Sequence, residues 1–349
     1  MVKRIWYFIV RSFVWLGIRF YFKEVVIKGI ENIPKKGPVV FTANHQNAFL
    51  DALILATTTW RFTHYLVRAD VFKSAMARWW LATLNMMPIY RIRDGRSALD
   101  RNTEIFDQCN RILRNGEALL IFPEGNHGQK RRLRPLSKGF TRIVFGTLRE
   151  QTDQPISIVP VGLNYTHHQH AGSGVSIYFG KPIDPAVYYD PEQSQRSAQK
   201  LKEKVAAEMK QLITHVEDLE NYERVLDHLQ KTNPDYLDPV GTNKKLGSIN
   251  FKEAITNTQK VTEPNIFSRL VRFVITLNNL IAYGLWYSIK SKIKDPVFIG
   301  SLKFCTGLVL VPVGYIVQTY LVYFIVGGVA AMVYAAFCIA SLRWRSFLI

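Results

Sequence analysis

A histidine and an aspartate that follow an apolar run are the strongest candidates for catalysis in this sequence. His45 comes directly after the strand-like run 38–43, and Asp51 stands six positions further along the chain. A neutral imidazole can take a proton from a hydroxyl, and a carboxylate on its other nitrogen fixes the tautomer and stabilises the imidazolium. The pair indicates general-base chemistry, with a purely structural pair as the alternative.

Contact between these two side chains requires a bend in the chain. On an uninterrupted helix six residues turn through about 600°, which leaves the side chains roughly 120° apart. A strand ending near Ala43, a turn holding His45 and a helix with Asn47 as its N-cap would bring Asp51 back to the imidazole. The sequence therefore predicts a strand–turn–helix unit at this position.

A second candidate site lies where another apolar run ends. The run 118–122 leads into Pro123-Glu124-Gly125 and a turn-rich segment. Functional groups gather at such strand ends in open α/β sheets. Glu124 can meet a substrate hydroxyl or a cation, and Gly125 lets the backbone approach a ligand. The alternative is a turn with a solvated glutamate.

Two further blocks complete the set. Arg91 and Arg93 flank Ile92 and would share one face of a strand, which suits a phosphate, although a solvated strand face is the alternative. The run 156–165 is a strand interrupted by Pro160-Val161-Gly162, with a core position as the alternative.

In their order along the chain, the four blocks resemble the glycerolipid acyltransferase superfamily, the lysophosphatidate and glycerol-3-phosphate acyltransferases. The resemblance covers roughly residues 24–185. It implies that His45 is the general base and that Asp51 orients it. The other implied roles are phosphate binding by Arg91 and Arg93, acceptor binding by Glu124 and Gly125, and contacts on the acyl-donor side by Pro160 and Lys138.

The resemblance also implies the reaction. A fatty acyl group would move from acyl-CoA or acyl carrier protein to the hydroxyl of 1-acylglycerol 3-phosphate (lysophosphatidate), giving phosphatidate, with no cofactor and no metal ion. His45 and Asp51 stand one residue further apart than in the commonest family pattern, and Asn126-His127-Gly128 replaces a hydroxyl residue and an arginine. The acceptor therefore stays open between lysophosphatidate, glycerol 3-phosphate and another lyso-lipid. The basic run 130–134 supplies replacement cations or a solvated face.

Composition favours a membrane partner. The net charge is +18 and 48% of the residues are hydrophobic, an unusual combination for a soluble nucleic-acid binder. Anionic lipid headgroups attract basic residues by about 1 kcal/mol each. Since no nucleic-acid recognition motif is present, we expect membrane lipids and no nucleic acid as partners.

The C-terminal part predicts a transmembrane hairpin. No charged residue stands from Phe304 to Leu342, which is enough for two spans of about 20 residues if the chain reverses near Gly327-Gly328. Basic residues bracket the run, so both ends should face the cytoplasm. The catalytic domain would then lie on the cytoplasmic face, of the inner membrane in a bacterium. A pair of buried core helices is the alternative.

The N-terminus predicts a helix at the membrane surface rather than a signal peptide. Arg11 and Arg19 interrupt the apolar residues, and Arg4, Arg11 and Arg19 fall on one broad helical face. A similar mixture over 267–287 predicts a second surface helix or a short re-entrant one. Neither the three separated cysteines nor the histidines 167, 168 and 170 indicate a metal site.

The predicted fold is α/β: a mixed sheet flanked by helices, with an N-terminal interfacial helix and a C-terminal transmembrane helical hairpin. Strands are expected near 25–29, 38–43, 64–67, 87–91, 118–122, 157–163 and 174–179. The expected parts are an interfacial helix (1–23), a catalytic domain (24–215), a connector of helix and loop (216–262), a membrane-surface region (263–302) and the hairpin (303–349). A helix is expected near 198–230 and a loop over 232–250.

Two other classes of protein fit the sequence less well. A non-catalytic lipid-binding or scaffold protein would not need His45, Asp51, Glu124 and Arg91 together. A lipid transporter would bring repeated bundles of membrane spans, whereas two spans and a large polar domain are expected here.

Overall fold

The computed structural model describes residues 2–90, 96–150, 154–248 and 266–348. The predicted phosphate-binding residues Arg91 and Arg93 lie outside these ranges. Twelve α-helices occur in the described residues: α1 Val2–Tyr21, α2 Ala48–Thr58, α3 Ala75–Thr83, α4 Arg96–Arg114, α5 Gly139–Arg149, α6 Ser194–Leu212, α7 Tyr222–Lys231, α8 Pro239–Gly247, α9 Ile266–Asn278, α10 Leu280–Lys290, α11 Val297–Val326 and α12 Gly328–Leu348.

The predicted strands form one mixed sheet. They are β1 Glu24–Lys28, β2 Val39–Ala43, β3 Thr63–Arg68, β4 Met86–Ile89, β5 Ala118–Ile121, β6 Ser157–Tyr165 and β7 Gly174–Phe179. Their order in the sheet is β1-β7-β6-β2-β5-β3-β4. Every neighbouring pair is parallel except β6 and β7, which are antiparallel. The predicted fold class is therefore confirmed.

Both faces of the sheet are covered, which explains why its central strands are largely apolar. In β2, Phe41 packs with Leu50 of α2 and Ile18 of α1 on one face. Val40 packs with Leu113 of α4 on the other face, where α5 and α6 also contribute. A parallel strand buried on both sides has no solvent face to alternate with, so its sequence reads as a continuous apolar run.

The N-terminal helix is docked onto the domain along one side. Tyr7, Val14 and Ile18 are buried, whereas Ile9 and other apolar residues on the opposite side are exposed. Arg11 donates to the carbonyl oxygens of Ala56 and Thr57 at 3.0 and 3.2 Å. These carbonyls lie in the last turn of α2, where intrahelical donors run out and negative partial charge collects. Arg11 therefore contacts α2, whereas the sequence pattern predicts it on the basic face of an interfacial helix.

The C-terminal segment forms the predicted helical hairpin. The chain reverses at Gly327, whose φ of 109° ends α11 before α12 begins. Within the described part of the chain, α11 is the one helix long and apolar enough to cross a membrane. The apolar part of α12, Gly328–Leu342, is shorter. Helix α11 begins at Val297, before the predicted boundary at 303, and its first turns are buried against the domain.

The connector differs from the prediction. The expected single helix is divided into α6 and α7, because the chain after Leu212 is tied to the end of β6. There Asn164 donates to the carbonyl of Leu212 at 3.0 Å and accepts from the N–H of Thr214 at 2.9 Å. Part of the expected loop over 232–250 is helix α8, with Pro239 in its first turn, a position that suits proline.

Candidate active site

The predicted residues His45 and Glu124 lie at one edge of the sheet. β2 lies between β5 and β6 and is parallel to both. His45 follows the end of β2, Glu124 follows the end of β5, and Tyr165 is the last residue of β6. The carboxyl ends of neighbouring parallel strands open onto a common edge, where ligands bind in open α/β sheets.

His45 and Asp51 are in direct contact. Nδ1 of His45 lies 2.9 Å from Oδ2 of Asp51, whose carboxylate is fully buried. The chain bends between them as predicted, and α2 begins at Ala48 with Asn47 in the N-cap position. Because Nδ1 is engaged with the carboxylate, Nε2 is the ring nitrogen left to take a proton. This is the arrangement that a general base requires.

Backbone groups of the same turn orient the carboxylate of Asp51. The N–H groups of Gln46 and Asn47 each donate to Oδ2 of Asp51 at 2.8 Å. These bonds fix the plane of the carboxylate. The orientation of His45 is therefore set by the fold of the turn as well as by the pairing itself.

Tyr165 holds the other carboxylate oxygen, a contact that no sequence pattern predicted. Its hydroxyl donates to Oδ1 of Asp51 at 2.5 Å, and its side chain is fully buried. Burial and the negative charge of Asp51 raise the pKa of Tyr165 well above its usual value, so it stays a neutral donor. The available signal was its position: a buried tyrosine at the end of the strand next to β2.

The turns after β2 and β5 are joined by hydrogen bonds. The backbone N–H of His45 donates to Oε1 of Glu124 at 3.1 Å, and the carbonyl of His45 accepts from the N–H of Gly128 at 3.0 Å. The imidazole of His45 also stacks on the ring of Phe122, with the centroids 4.1 Å apart. Gly125 has a φ of 67°, a conformation that favours glycine over other residues.

Glu124 is a weak acid in this environment. Burial raises its pKa to about 8, although the N–H of His45 and the charge of Arg134 act in the opposite direction. The carboxyl group is therefore mostly protonated at neutral pH. A protonated carboxyl can donate a hydrogen bond as well as accept one.

His127 lies beside His45. The centroids of the two rings are 5.6 Å apart, and the side chain of His127 is 7% exposed. Burial and the neighbouring His45 lower the pKa of His127, and its Nε2 has no hydrogen-bond partner. Its Nδ1 is 4.0 Å from Oδ2 of Asp295, too far for a hydrogen bond.

The two residues predicted on the acyl-donor side lie elsewhere. Pro160 is inside β6, opposite Thr42 rather than at the strand end. Its carbonyl accepts from the N–H of Gly180 at 2.8 Å. Lys138 is exposed at the start of α5, where its carbonyl accepts from the hydroxyl of Thr141. Neither position adds to the His45 constellation, so their roles stay predictions.

The basic run has structural partners. Arg131 donates to the carbonyls of Tyr165 and Thr166 at 2.9 and 3.2 Å, and its guanidinium lies 3.4 Å from the ring centroid of Tyr236. Arg134 donates to the carbonyl of His127 at 3.0 Å. These two arginines brace the ends of β6 and of the turn after β5, instead of forming a solvated face.

The loop that holds His167, His168 and His170 borders a cavity of about 320 Å³ that Arg131 also lines. His168 is partly buried, and burial with the charge of Arg131 lowers its pKa to about 4. Its Nε2 lies 3.2 Å from Oε1 of Gln46, in the turn that holds His45. Among the residues that the structure describes, no group of three or more His, Cys, Asp or Glu side chains could hold a metal ion.

The family model named Acyltransferase matches residues 24–164, the part of the chain that holds this site. The chain is 28% identical over 151 residues to the 1-acyl-sn-glycerol-3-phosphate acyltransferase LPAT1, chloroplastic, of Arabidopsis thaliana, covering 43% of this chain and 38% of the relative. It is 27% identical over 113 residues to glycerol-3-phosphate O-acyltransferase 1 of Saccharomyces cerevisiae, covering 31% and 15%.

A solved structure is also similar: that of the 1-acyl-sn-glycerophosphate (LPA) acyltransferase, PlsC, from Thermotoga maritima, with a TM-score of 0.44 and 20% identity over 60% of this chain and 81% of that one. The chain spans less than half the length of the curated relatives it matches. Within the matched domain, the resemblance read from the four sequence blocks is confirmed.

Proposed function

We propose that the chain is a membrane-bound O-acyltransferase, because the family model named Acyltransferase matches residues 24–164. The acyl donor is acyl-CoA or acyl carrier protein, and the acceptor is the hydroxyl of 1-acylglycerol 3-phosphate. The product is phosphatidate, a precursor in phospholipid biosynthesis. The observation that carries this proposal is the 2.9 Å contact between Nδ1 of His45 and Oδ2 of the buried Asp51.

In the proposed reaction, Nε2 of His45 takes the proton of the acceptor hydroxyl as its oxygen attacks the thioester carbonyl carbon. A tetrahedral oxyanion forms, and its collapse breaks the carbon–sulfur bond. The thiolate leaves and takes the proton from the imidazolium, so that an ester and a free thiol result. Asp51 keeps Nε2 directed at the hydroxyl and stabilises the imidazolium.

The oxyanion requires hydrogen-bond donors that are in place before the reaction. Protonated Glu124 and neutral His127 lie beside His45 and support this role. Both are partly buried, so a hydrogen bond from either is stronger than it would be in water. In this proposal, the glutamate that the resemblance assigns to the acceptor also serves the transition state.

The choice of acceptor rests on the relatives and on the surface of the protein. The plant relatives are named for 1-acylglycerol 3-phosphate, and exposed apolar residues on α1, α9 and α11 suit a lipid acceptor held in a membrane. The yeast relatives are named for glycerol 3-phosphate, which is the second candidate. Arg91 and Arg93 remain the proposed phosphate ligands for either acceptor.

We place the protein in a membrane with its catalytic domain on the cytoplasmic face. The apolar helix α11 supports membrane attachment. Lys290, Lys292 and Lys294 stand just before α11 and support the sidedness, since basic residues near a span favour the cytoplasm.

An assay with several acceptors tests the proposal. The purified full chain is incubated in mixed micelles with labelled acyl-CoA and either lysophosphatidate, glycerol 3-phosphate or lysophosphatidylcholine, and the lipids are separated. We expect labelled phosphatidate from lysophosphatidate, together with one free thiol per ester. Transfer to no acceptor from either acyl-CoA or acyl carrier protein would contradict the proposed function.

A further inference from the structure

The first turns of α11 pack directly against the turn that carries His45. The hydroxyl of Ser301 donates to the carbonyl of Asn47 at 2.5 Å and accepts from the N–H of Leu50 at 3.1 Å. Ser301 is fully buried. A hydroxyl can donate one hydrogen bond and accept others, so both contacts form together.

Ser301 adds a hydrogen bond at the start of α2, where the N–H of Leu50 also donates to the carbonyl of Asn47 at 3.0 Å. The first N–H groups of a helix have no intrahelical acceptor, and the N-cap side chain commonly supplies one. Asn47 occupies the N-cap position without making this bond, because its amide donates to the carbonyl of His168 at 2.7 Å. Ala48 has a φ of 40°, an unfavourable conformation for a residue with a side chain. Ser301 therefore adds an acceptor to a helix start that lacks a side-chain cap of its own.

The same turn determines the geometry of the catalytic pair. Asn47, whose carbonyl accepts from Ser301, donates its N–H to Oδ2 of Asp51, and that oxygen contacts His45. A shift of the turn at Asn47 would therefore move the carboxylate and the imidazole together. The chain separation is large: Ser301 stands 254 positions after Asn47.

Neighbouring residues fix the approach of α11. A Cβ atom at Gly300 would lie 2.2 Å from the carbonyl oxygen of His168, so only glycine permits this closeness. The hydroxyl of Tyr21 donates to the carbonyl of Gly300 at 3.3 Å, and Phe304 packs edge-on against the ring of Tyr21. Helix α11 therefore packs against both α1 and the turn that holds His45.

We propose that Ser301 is a positioning residue for the His45–Asp51 pair, so that the helix predicted to anchor the protein also completes its active site. This inference rests on the proposed acyl transfer. Ser301 need not touch either substrate. It holds the turn that aims the general base.

Replacement of Ser301 tests this inference in the full chain. Since a misplacement of about 1 Å can cost about 100-fold in rate, Ser301→Ala should lower kcat by about 10- to 100-fold. The KM values for donor and acceptor should stay close to those of the wild type. Ser301→Thr keeps the hydroxyl and should retain more activity than Ser301→Ala.

Ser341→Ala is the matched control. Ser341 is also a buried hydroxyl of the hairpin, bonded to Tyr315 at 3.0 Å and to the carbonyl of Cys338 at 2.8 Å, away from His45. Both variants remove one buried hydroxyl from the same membrane segment. A general loss of hairpin stability would therefore affect both, whereas loss of positioning would affect Ser301→Ala alone.

A spectroscopic readout separates positioning from folding and from the assay itself. The proton on Nδ1 of His45 in the bond to Asp51 should give a downfield NMR signal, assigned by its loss in His45→Ala. We expect it to move or broaden in Ser301→Ala and to persist in Ser341→Ala. An unchanged signal and kcat in folded Ser301→Ala would overturn the inference. A wild type without acyl transfer would instead refute the proposed function, while the signal would still test Ser301.

Discussion

The hydroxyl of Tyr165 lies 2.5 Å from Oδ1 of Asp51, so the last residue of β6 holds the carboxylate that orients His45. Oδ2 of Asp51 is occupied by His45 and by two backbone N–H groups. Both oxygens of one buried carboxylate are therefore fixed. Fixed geometry of this kind lowers the reorganisation needed in the transition state.

Tyr165→Phe should weaken this orientation without emptying the core. The variant leaves one oxygen of a buried carboxylate without its donor, and a hydrogen bond to a charged group contributes about 1.5–3 kcal/mol to stability. We expect a loss of that size in chemical denaturation and about a 10-fold lower kcat. Tyr178→Phe is the control, because it removes a buried hydroxyl that bonds the carbonyl of Leu237 instead. Equal kcat values for both variants would contradict the role of Tyr165.

Glu124 should make folding stability depend on pH. Its pKa is raised from 4.5 to about 8 by burial, so between these values the folded protein holds a proton that the unfolded chain releases. The contribution of Glu124 to stability is therefore greatest below pH 4.5 and falls as the pH rises towards 8. Denaturation of the wild type and Glu124→Gln from pH 5 to 9 should show a smaller decline for the variant. Parallel curves would mean that Glu124 is ionised in the folded state.

Arg91→Ala and Arg93→Ala test the predicted phosphate site. If these side chains bind the acceptor phosphate, each replacement should raise the KM for lysophosphatidate and leave the KM for the acyl donor almost unchanged. Arg91 should have the larger effect, since it directly follows the Pro-Ile-Tyr run that resembles the family block. Equal effects on both substrates would indicate a folding defect instead.

Attachment to the membrane should resist salt. Screening by salt weakens the attraction between basic residues and headgroups, but it does not weaken the burial of an apolar helix in lipid. The full chain should therefore stay in washed membranes at high salt and be released by detergent. Release by salt alone would contradict an integral anchor. In sealed vesicles with the cytoplasmic face outward, both termini should be open to protease.

The sheet and the first catalytic contact were predictable because their signals are local. The apolar run of β2, the turn at His45 and the position of Asp51 all lie within one short stretch of the sequence. Tyr165 and Ser301 were not predictable in this way. Tyr165 reaches Asp51 because β6 lies next to β2, and Ser301 reaches Asn47 because the hairpin returns to the domain.

Other differences have the same origin. The pattern of α1 alone predicts Arg11 at the membrane surface. In the structure, Arg11 instead donates to carbonyl oxygens at the end of α2. The predicted long helix in the connector divides because Asn164 of β6 bonds the chain on both sides of Ile213. In each case a tertiary contact overrides a pattern that is correct for an isolated segment.

His45→Ala measured in the acyl transfer assay tests the central claim most directly. The variant removes the proposed general base, whereas Asp51→Asn keeps the imidazole and should cost somewhat less. Loss of a general base typically lowers turnover by about 10² to 10⁴, so we predict at least that fall for folded His45→Ala. Its binding of acyl-CoA should be retained. Turnover by His45→Ala within a few-fold of the wild type would contradict the account.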